Sequence, residues 1–206
     1  MIIAVDGPTA SGKGTIAKAL AAYFGLPHLD TGLLYRAVGL QCALNGGNPD
    51  DPANALAACD FPDQLIADPE LRSEATGGLA SRVSIHPEVR AALYDLQRAF
   101  ATQPGGAVLD GRDIGTVIAP EAEVKLFVTA SVFVRAERRF AEMLAAGRMV
   151  SLAEITAELE ARDLRDRTRA EAPLTVAADA LVLDTSHAGR DEAIAEAIRA
   201  VEMLIA

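Results

Sequence analysis

The stretch Gly7-Pro-Thr-Ala-Ser-Gly-Lys13 is the first place in the chain where residue types and spacing point to chemistry. An apolar run, Ile2–Val5, precedes it, and Ile16, Leu20 and Phe24 follow on one face of a helix. A glycine-rich turn between a strand and a helix N-terminus suits phosphate. Backbone amides and the helix dipole meet the negative charge, and Lys13 reaches the outer phosphates. Gly7, Pro8, Thr9, Ala10, Ser11, Gly12, Lys13, Gly14 and Thr15 are therefore the expected ATP-binding residues. Gly14 separates Lys13 from Thr15, so the direct hydroxyl–metal contact of the general phosphate loop does not carry over. Thr15 is expected to meet a phosphate oxygen, and Mg²⁺ to enter with ATP and water rather than at a protein metal site.

A second set of residues is cationic. Arg36 follows Leu29-Asp30-Thr31-Gly32, Arg112 lies in Leu109-Asp110-Gly111-Arg112-Asp113, and four arginines crowd the run Ala161–Arg169. On a helix, Arg162, Arg165, Asp166 and Arg169 share one face, because steps of three, four and seven residues return to it. Asp163 and Arg167 fall on another side, where they could pair with each other. A solvated helix laced with salt bridges gives the same pattern; the phosphate loop tips the reading toward function. A phosphate monoester has a second pKa of about 6, so a monophosphate acceptor is already anionic and needs no strong base. The difficulty is bringing two polyanions together, and arginines meet it by staying charged and binding phosphate bidentately. A hydroxyl acceptor would call for a carboxylate base.

The elements that must position these residues alternate. Strands are expected at Ile2–Val5, His28–Asp30, Ala107–Asp110, Val124–Val128 and Ala180–Leu183. Helices are expected from Thr31 to about Leu44, Pro87–Phe100, Ser131–Ala146, Ser151 toward Thr168, and Asp191–Leu204. Gly25 and Gly147 stop two helices, and Ser151-Leu-Ala-Glu154 opens one with a capping box. Alternation of this kind defines a parallel doubly wound sheet, with ligands beyond the C-terminal strand ends. Residues 46–100 break the pattern and read as an insertion.

Half of the 206 residues are hydrophobic, which supports one core and no disorder. A net charge of −10 argues against nucleic-acid binding, but a few arginines can still converge locally. Cys42 and Cys59 have no metal or redox spacing and read as reduced thiols. His28, His86 and His187 read as isolated. With no apolar run long enough for a bilayer and no leader-like start, a cytoplasmic monomer without membrane contact is expected.

Taken together, Gly7–Thr15, Asp30–Arg36, Gln97–Phe100, Asp110–Thr116, Arg162–Leu174 and Ala178–Asp184 resemble the bacterial cytidylate kinases over essentially the whole chain. The resemblance implies a three-layer α/β P-loop kinase fold with a five-stranded parallel sheet. It also implies a monophosphate-binding insertion at about 46–100 and a lid at about 147–165. ATP and CMP or dCMP would be the substrates, with Lys13, Arg112 and Arg162 catalytic. By the same resemblance Arg36, Arg112 and Arg169 hold the acceptor phosphate, while Arg162 and Asp166 hold the sugar. Ser81, Arg90 and Asp113 read the cytosine, and Thr31 stands where the family often has Ser in the CMP site. Leu164 departs from a position that is frequently acidic. Kinases for UMP, AMP or shikimate, a GTP switch and a non-catalytic regulator are the alternatives. The absence of an Asn-Lys-x-Asp motif counts against the switch.

Overall fold

Strand β1 (Ile2–Asp6) carries the phosphate loop at its C-terminal end, and the sheet is built around it. The computed structural model describes residues 1–205. Among them five strands pair in parallel, in the order β2-β3-β1-β4-β5. The others are β2 (His28–Asp30), β3 (Ala107–Gly111), β4 (Val124–Thr129) and β5 (Leu181–Asp184). Every expected strand is present, with ends moved by at most one residue. Ile3, Ala4, Val5, Val108, Leu109 and Val128 are fully inaccessible, as in a sheet covered on both faces. The chain lays β2 and β3 on one side of β1 and β4 and β5 on the other. That reversal opens a crevice beyond Asp6, where such folds bind ligands.

Alternation along β1 feeds two helical layers. Ile3 and Val5 pack with Ile16 and Leu20 of α1 (Lys13–Phe24) and Val201 of α8 (Arg190–Ile205). Ala4 and Leu109 face Ala101 of α5 (Pro87–Ala101) and a single π-turn, Ile114–Ile118. Gly25 ends α1 with φ 66°, its N–H bonded to the Ala21 carbonyl.

The insertion, read from the sequence only as a break in strand–helix alternation, is helical. After α2 (Thr31–Leu44) come α3 (Pro52–Ala57), two 3₁₀ turns (Asp63–Ala67 and Pro69–Arg72) and α4 (Glu74–Val83). These pieces are too short to show periodicity, and the starts of three of them are fixed by side-chain caps. Asp51 accepts from Asn54 N at 3.0 Å, Asp68 from Glu70 N at 2.8 Å, and Ser73 from Thr76 N at 3.1 Å. Leu34, Tyr35, Val38, Ala80, Val83 and Leu93 give the insertion its own apolar cluster against α2.

The last pair, α6 (Val132–Ala145) and α7 (Leu152–Thr168), forms a hairpin closed by Ala136, Ile155 and Leu159. The capping box is present: Ser151 Oγ accepts from Glu154 N at 3.2 Å, and Glu154 accepts from Ser151 N at 3.0 Å. Among the described residues no helix is long and apolar enough to cross a membrane.

Gly7 is a tight point of the scaffold directly beneath the site. Its φ of 154° disfavours other residues, and a Cβ there would overlap the Val128 carbonyl oxygen of the neighbouring strand. Gly14 has only an ordinary contact, 3.6 Å from Asp110 Oδ2. Gly7→Ala is expected to lose roughly 2 kcal/mol or more in urea unfolding, and Gly14→Ala far less. Equal losses would show that backbone approach at Gly7 is not the limiting fit.

Candidate active site

The loop after β1 is held from three directions. Arg112 Nη2, from the end of β3, donates to Thr9 Oγ1 at 2.6 Å. Arg135 Nη1, from α6, donates to the Thr9 carbonyl at 3.1 Å. Thr185 Oγ1, just beyond β5, lies 2.9 Å from the Ser11 carbonyl and donates toward it. Ala10 sits at φ 62° and Gly12 at φ 91°, which turns the backbone around an open space before α1 starts at Lys13. The buried Ser11 hydroxyl has no partner within the protein.

That space is a cavity of about 620 Å³. Its walls include the loop from Thr9 to Thr15 together with Arg36, Arg112 and Arg162. Arg36 is anchored by the Leu71 and Ser73 carbonyls, at 2.7 and 2.8 Å, and burial lowers its pKa. Gly77 of α4 makes room for two guanidinium groups: a Cβ there would lie 2.9 Å from Arg36 Nη2 and 3.3 Å from Arg162 Nη1. Burial and the charge of Arg112 lower Lys13 to about 8. The same two causes bring Arg162 to about 10, and its buried Nε has no partner. Like charges held together out of water favour a polyanion, which relieves both penalties.

A second polar cluster lies behind Arg112. Its Nε donates to Asp166 Oδ2 at 2.9 Å. Burial would raise the Asp166 pKa, but the charges of Arg112 and Arg162 outweigh it and hold the carboxyl low. Arg90 pairs with Asp113 and lies 5.5 Å over the Tyr35 ring. Arg169 Nη2 stands 3.5 Å from Asp113 Oδ1, while the same guanidinium holds the Ala172 carbonyl. Ser81 Oγ accepts from Arg165 Nε at 3.1 Å.

The geometry thus gathers Lys13, Arg36, Arg112 and Arg162 around the phosphate loop. Arg90, Asp113, Asp166 and Arg169 lie in the adjoining cluster, and Ser81 is bonded to Arg165 of α7. The Thr31 hydroxyl donates to the Asp110 carbonyl at 2.8 Å and so ties β2's end to β3. Three sequence expectations fail. Asp163 pairs with Arg135 rather than Arg167, at 2.5 and 3.0 Å, because the interior of the hairpin supplies a buried partner. Arg169 is the C-cap of α7, turned by its bond to Ala172, rather than a residue on the helix face. His28 and His86 are not isolated: His28 Nε2 lies 2.8 Å from Asp110 Oδ1, and the buried His86 Nε2 lies 2.9 Å from the Pro49 carbonyl.

Arg138, Arg139 and Glu74 also line the cavity, and none was singled out from the sequence. The signal for the arginines was available in Arg135-Ala-Glu-Arg138-Arg139, on the helix following a strand's C-terminal end. Glu74 gave none, because its ion pair with Arg139 joins α4 to α6 across 65 residues.

A phosphate loop on a doubly wound parallel sheet, facing a cavity of converging cations, defines a P-loop phosphotransferase. Two solved structures share the fold. A Eubacterium ventriosum protein described as uncharacterized aligns with a TM-score of 0.58 at 16% identity, over 98% of each chain. A Thermus thermophilus protein aligns with a TM-score of 0.50 at 22% identity, over 100% of this chain and 98% of that one. Residues 3–203 match the family model described as cytidylate kinase. The chain is 57% identical over 203 residues to the cytidylate kinase of Azorhizobium caulinodans, covering 98% of each. It is 54% identical to that of Caulobacter sp. strain K31, covering 98% of this chain and 94% of that one. The chain belongs to the cytidylate kinase family, ATP-dependent enzymes that use a divalent metal.

Asp6 supplies a pH test of the scaffold under the site. Its buried carboxylate accepts from the Ile114 and Gly115 amides at 2.9 and 2.8 Å, and burial raises its pKa to about 7. A carboxyl raised in the folded state contributes stability that is complete below its unfolded pKa and is lost as pH rises through the folded one. Wild type is therefore expected to lose stability between about pH 4 and pH 7 through this group. Asp6→Asn should flatten that slope in urea titrations at several pH values. An unchanged slope would exclude Asp6 as its source.

Proposed function

We propose that the chain transfers the γ-phosphoryl group of ATP to CMP or dCMP, giving ADP and CDP or dCDP. The observation that carries this reading is the convergence of Lys13, Arg36, Arg112 and Arg162 on one cavity beside the phosphate loop. In this reading ATP lies with its phosphates on Gly7–Thr15, and Lys13 follows the γ-phosphoryl group. Arg36, Arg112 and Arg169 hold the acceptor phosphate in line with it, Arg162 and Asp166 take the sugar, and Arg162 also stabilises the moving charge. Positioning and charge neutralisation do most of the work, since the acceptor oxygen needs no strong base.

Ser81, Arg90 and Asp113 form the proposed base site. Asp113 accepts from the exocyclic amine of cytosine, whereas Arg90 and Ser81 donate to N3 or O2. Uracil carries O4 and an N3–H there, so it leaves the same groups mismatched. Existing bonds fit a pocket that waits for its ligand: Asp113 is shared between Arg90 and Arg169, and Ser81 is engaged by Arg165. Asp30 and Asp110 line the cavity close enough to Lys13 to raise its pKa, and they fit the water shell of a cation brought by ATP. Mg²⁺ is the proposed ion, and it would draw negative charge from the phosphates.

A coupled assay of ADP release with CMP, dCMP, UMP and AMP tests the reading. Turnover is expected with CMP and dCMP and far less with the others; equal use of UMP or AMP would overturn it. Arg112→Ala should lower kcat/KM for CMP on the order of 100-fold or more, and near-normal turnover would remove Arg112 from the acceptor site. Asp113→Asn should narrow the preference for CMP over UMP by roughly tenfold, because an amide can donate to uracil O4. A preference that survives would place base reading elsewhere.

A further inference from the structure

Thr9 is tied twice to the same helix. Its hydroxyl accepts from Arg112, which donates through Nε to Asp166 on α7. Its carbonyl accepts from Arg135, whose guanidinium also binds both oxygens of Asp163 on α7. Asp163 and Asp166 are three residues apart and lie one turn from each other along that helix. Phosphate loop, two arginines and one helical turn therefore close a ring. Arg135 is 1% exposed and Asp163 6%, so the second tie is sheltered from water and salt. Arg135 also donates to the Ala130 carbonyl at 3.0 Å, which fixes it to the connection between β4 and α6.

We propose that Arg135 and Asp163 are positioning residues that couple the donor and acceptor sites through Thr9, so that each nucleotide raises the other's affinity. The inference rests on the placement of ATP and CMP given above. Its basis is mechanical. Filling the phosphate loop fixes the Thr9 peptide, and a fixed Thr9 holds Arg135 and, through Asp163, the turn carrying Arg162 and Asp166. Filling the acceptor site fixes that turn first and works back to the loop. Coupling of this kind is reciprocal in binding free energy. Arg112 makes the other half of the ring but also faces the cavity, so its removal would confound coupling with direct contact. Arg135 and Asp163 are outside the lining of that cavity and can be changed without removing a group from it.

The test is calorimetric titration of the full chain with CMP, with and without saturating non-hydrolysable ATP analogue and Mg²⁺. In wild type the analogue is expected to tighten CMP binding about fivefold or more. Asp163→Asn and Arg135→Lys should each bring that factor close to one, and a double variant should lose no more than either single change. A role in stability alone would lower the melting temperature and leave the factor intact, and that result overturns the proposal. A wild-type factor of one overturns it as well. If CMP binds wild type under neither condition, the placement of CMP is wrong and the coupling falls with it. Failure of coupling alone, with CMP bound, leaves that placement standing. Should one variant fail to fold, the other, which preserves volume or charge differently, gives the same readout.

Discussion

Lys13, Arg36, Arg112 and Arg162 repel one another and lose hydration in the same small volume, and the rest of the molecule holds them there. No single element could do this. Lys13 comes from the helix after β1, Arg36 from α2, Arg112 from the end of β3, and Arg162 from α7. The three arginines are positioned from behind: carbonyls at Leu71 and Ser73 for Arg36, Asp166 and Thr9 for Arg112, the hairpin interior for the turn that carries Arg162. Charge compensation comes from Asp166 behind Arg112 and from Asp30, Glu74 and Asp110 in the cavity wall, and the basic groups still converge beside the phosphate loop. The arrangement is the reverse of a surface salt-bridge network, where each charge would find its nearest partner in solvent.

The parallel sheet makes this convergence possible. Strand ends at Asp6, Asp30, Gly111 and Asp184 lie on one edge, so loops that are distant in sequence emerge side by side. Gly7 and Gly77 then remove bulk where two backbones or two guanidinium groups must approach. A larger residue at either place would separate groups that have to act within a few ångströms of each other.

Strands, most helices and the phosphate loop were legible in the sequence because local rules govern them. Apolar runs buried on both faces read directly as strands, and Gly25, Gly147 and Ser151–Glu154 marked helix ends that the structure reproduces. What stayed hidden depends on contacts between segments far apart. The short helices between Pro52 and Val83 are held by caps and by packing on α2, so no periodicity exposes them. Asp163 looked suited to Arg167 four residues on, yet a partner 28 residues away in the hairpin interior binds it instead. His28 and Asp110 meet because β2 and β3 pair in register, which no reading of either segment alone reveals.

The unpartnered Nε of Arg162 has a consequence for the life of the protein in a cell. A buried guanidinium nitrogen left without a hydrogen-bond partner weakens the folded state, and under the proposed function a bound nucleotide offsets that cost by mass action. The empty molecule is then the form most open to unfolding and proteolysis. On that reading nucleotide supply bears on how long each copy survives as well as on how fast it works.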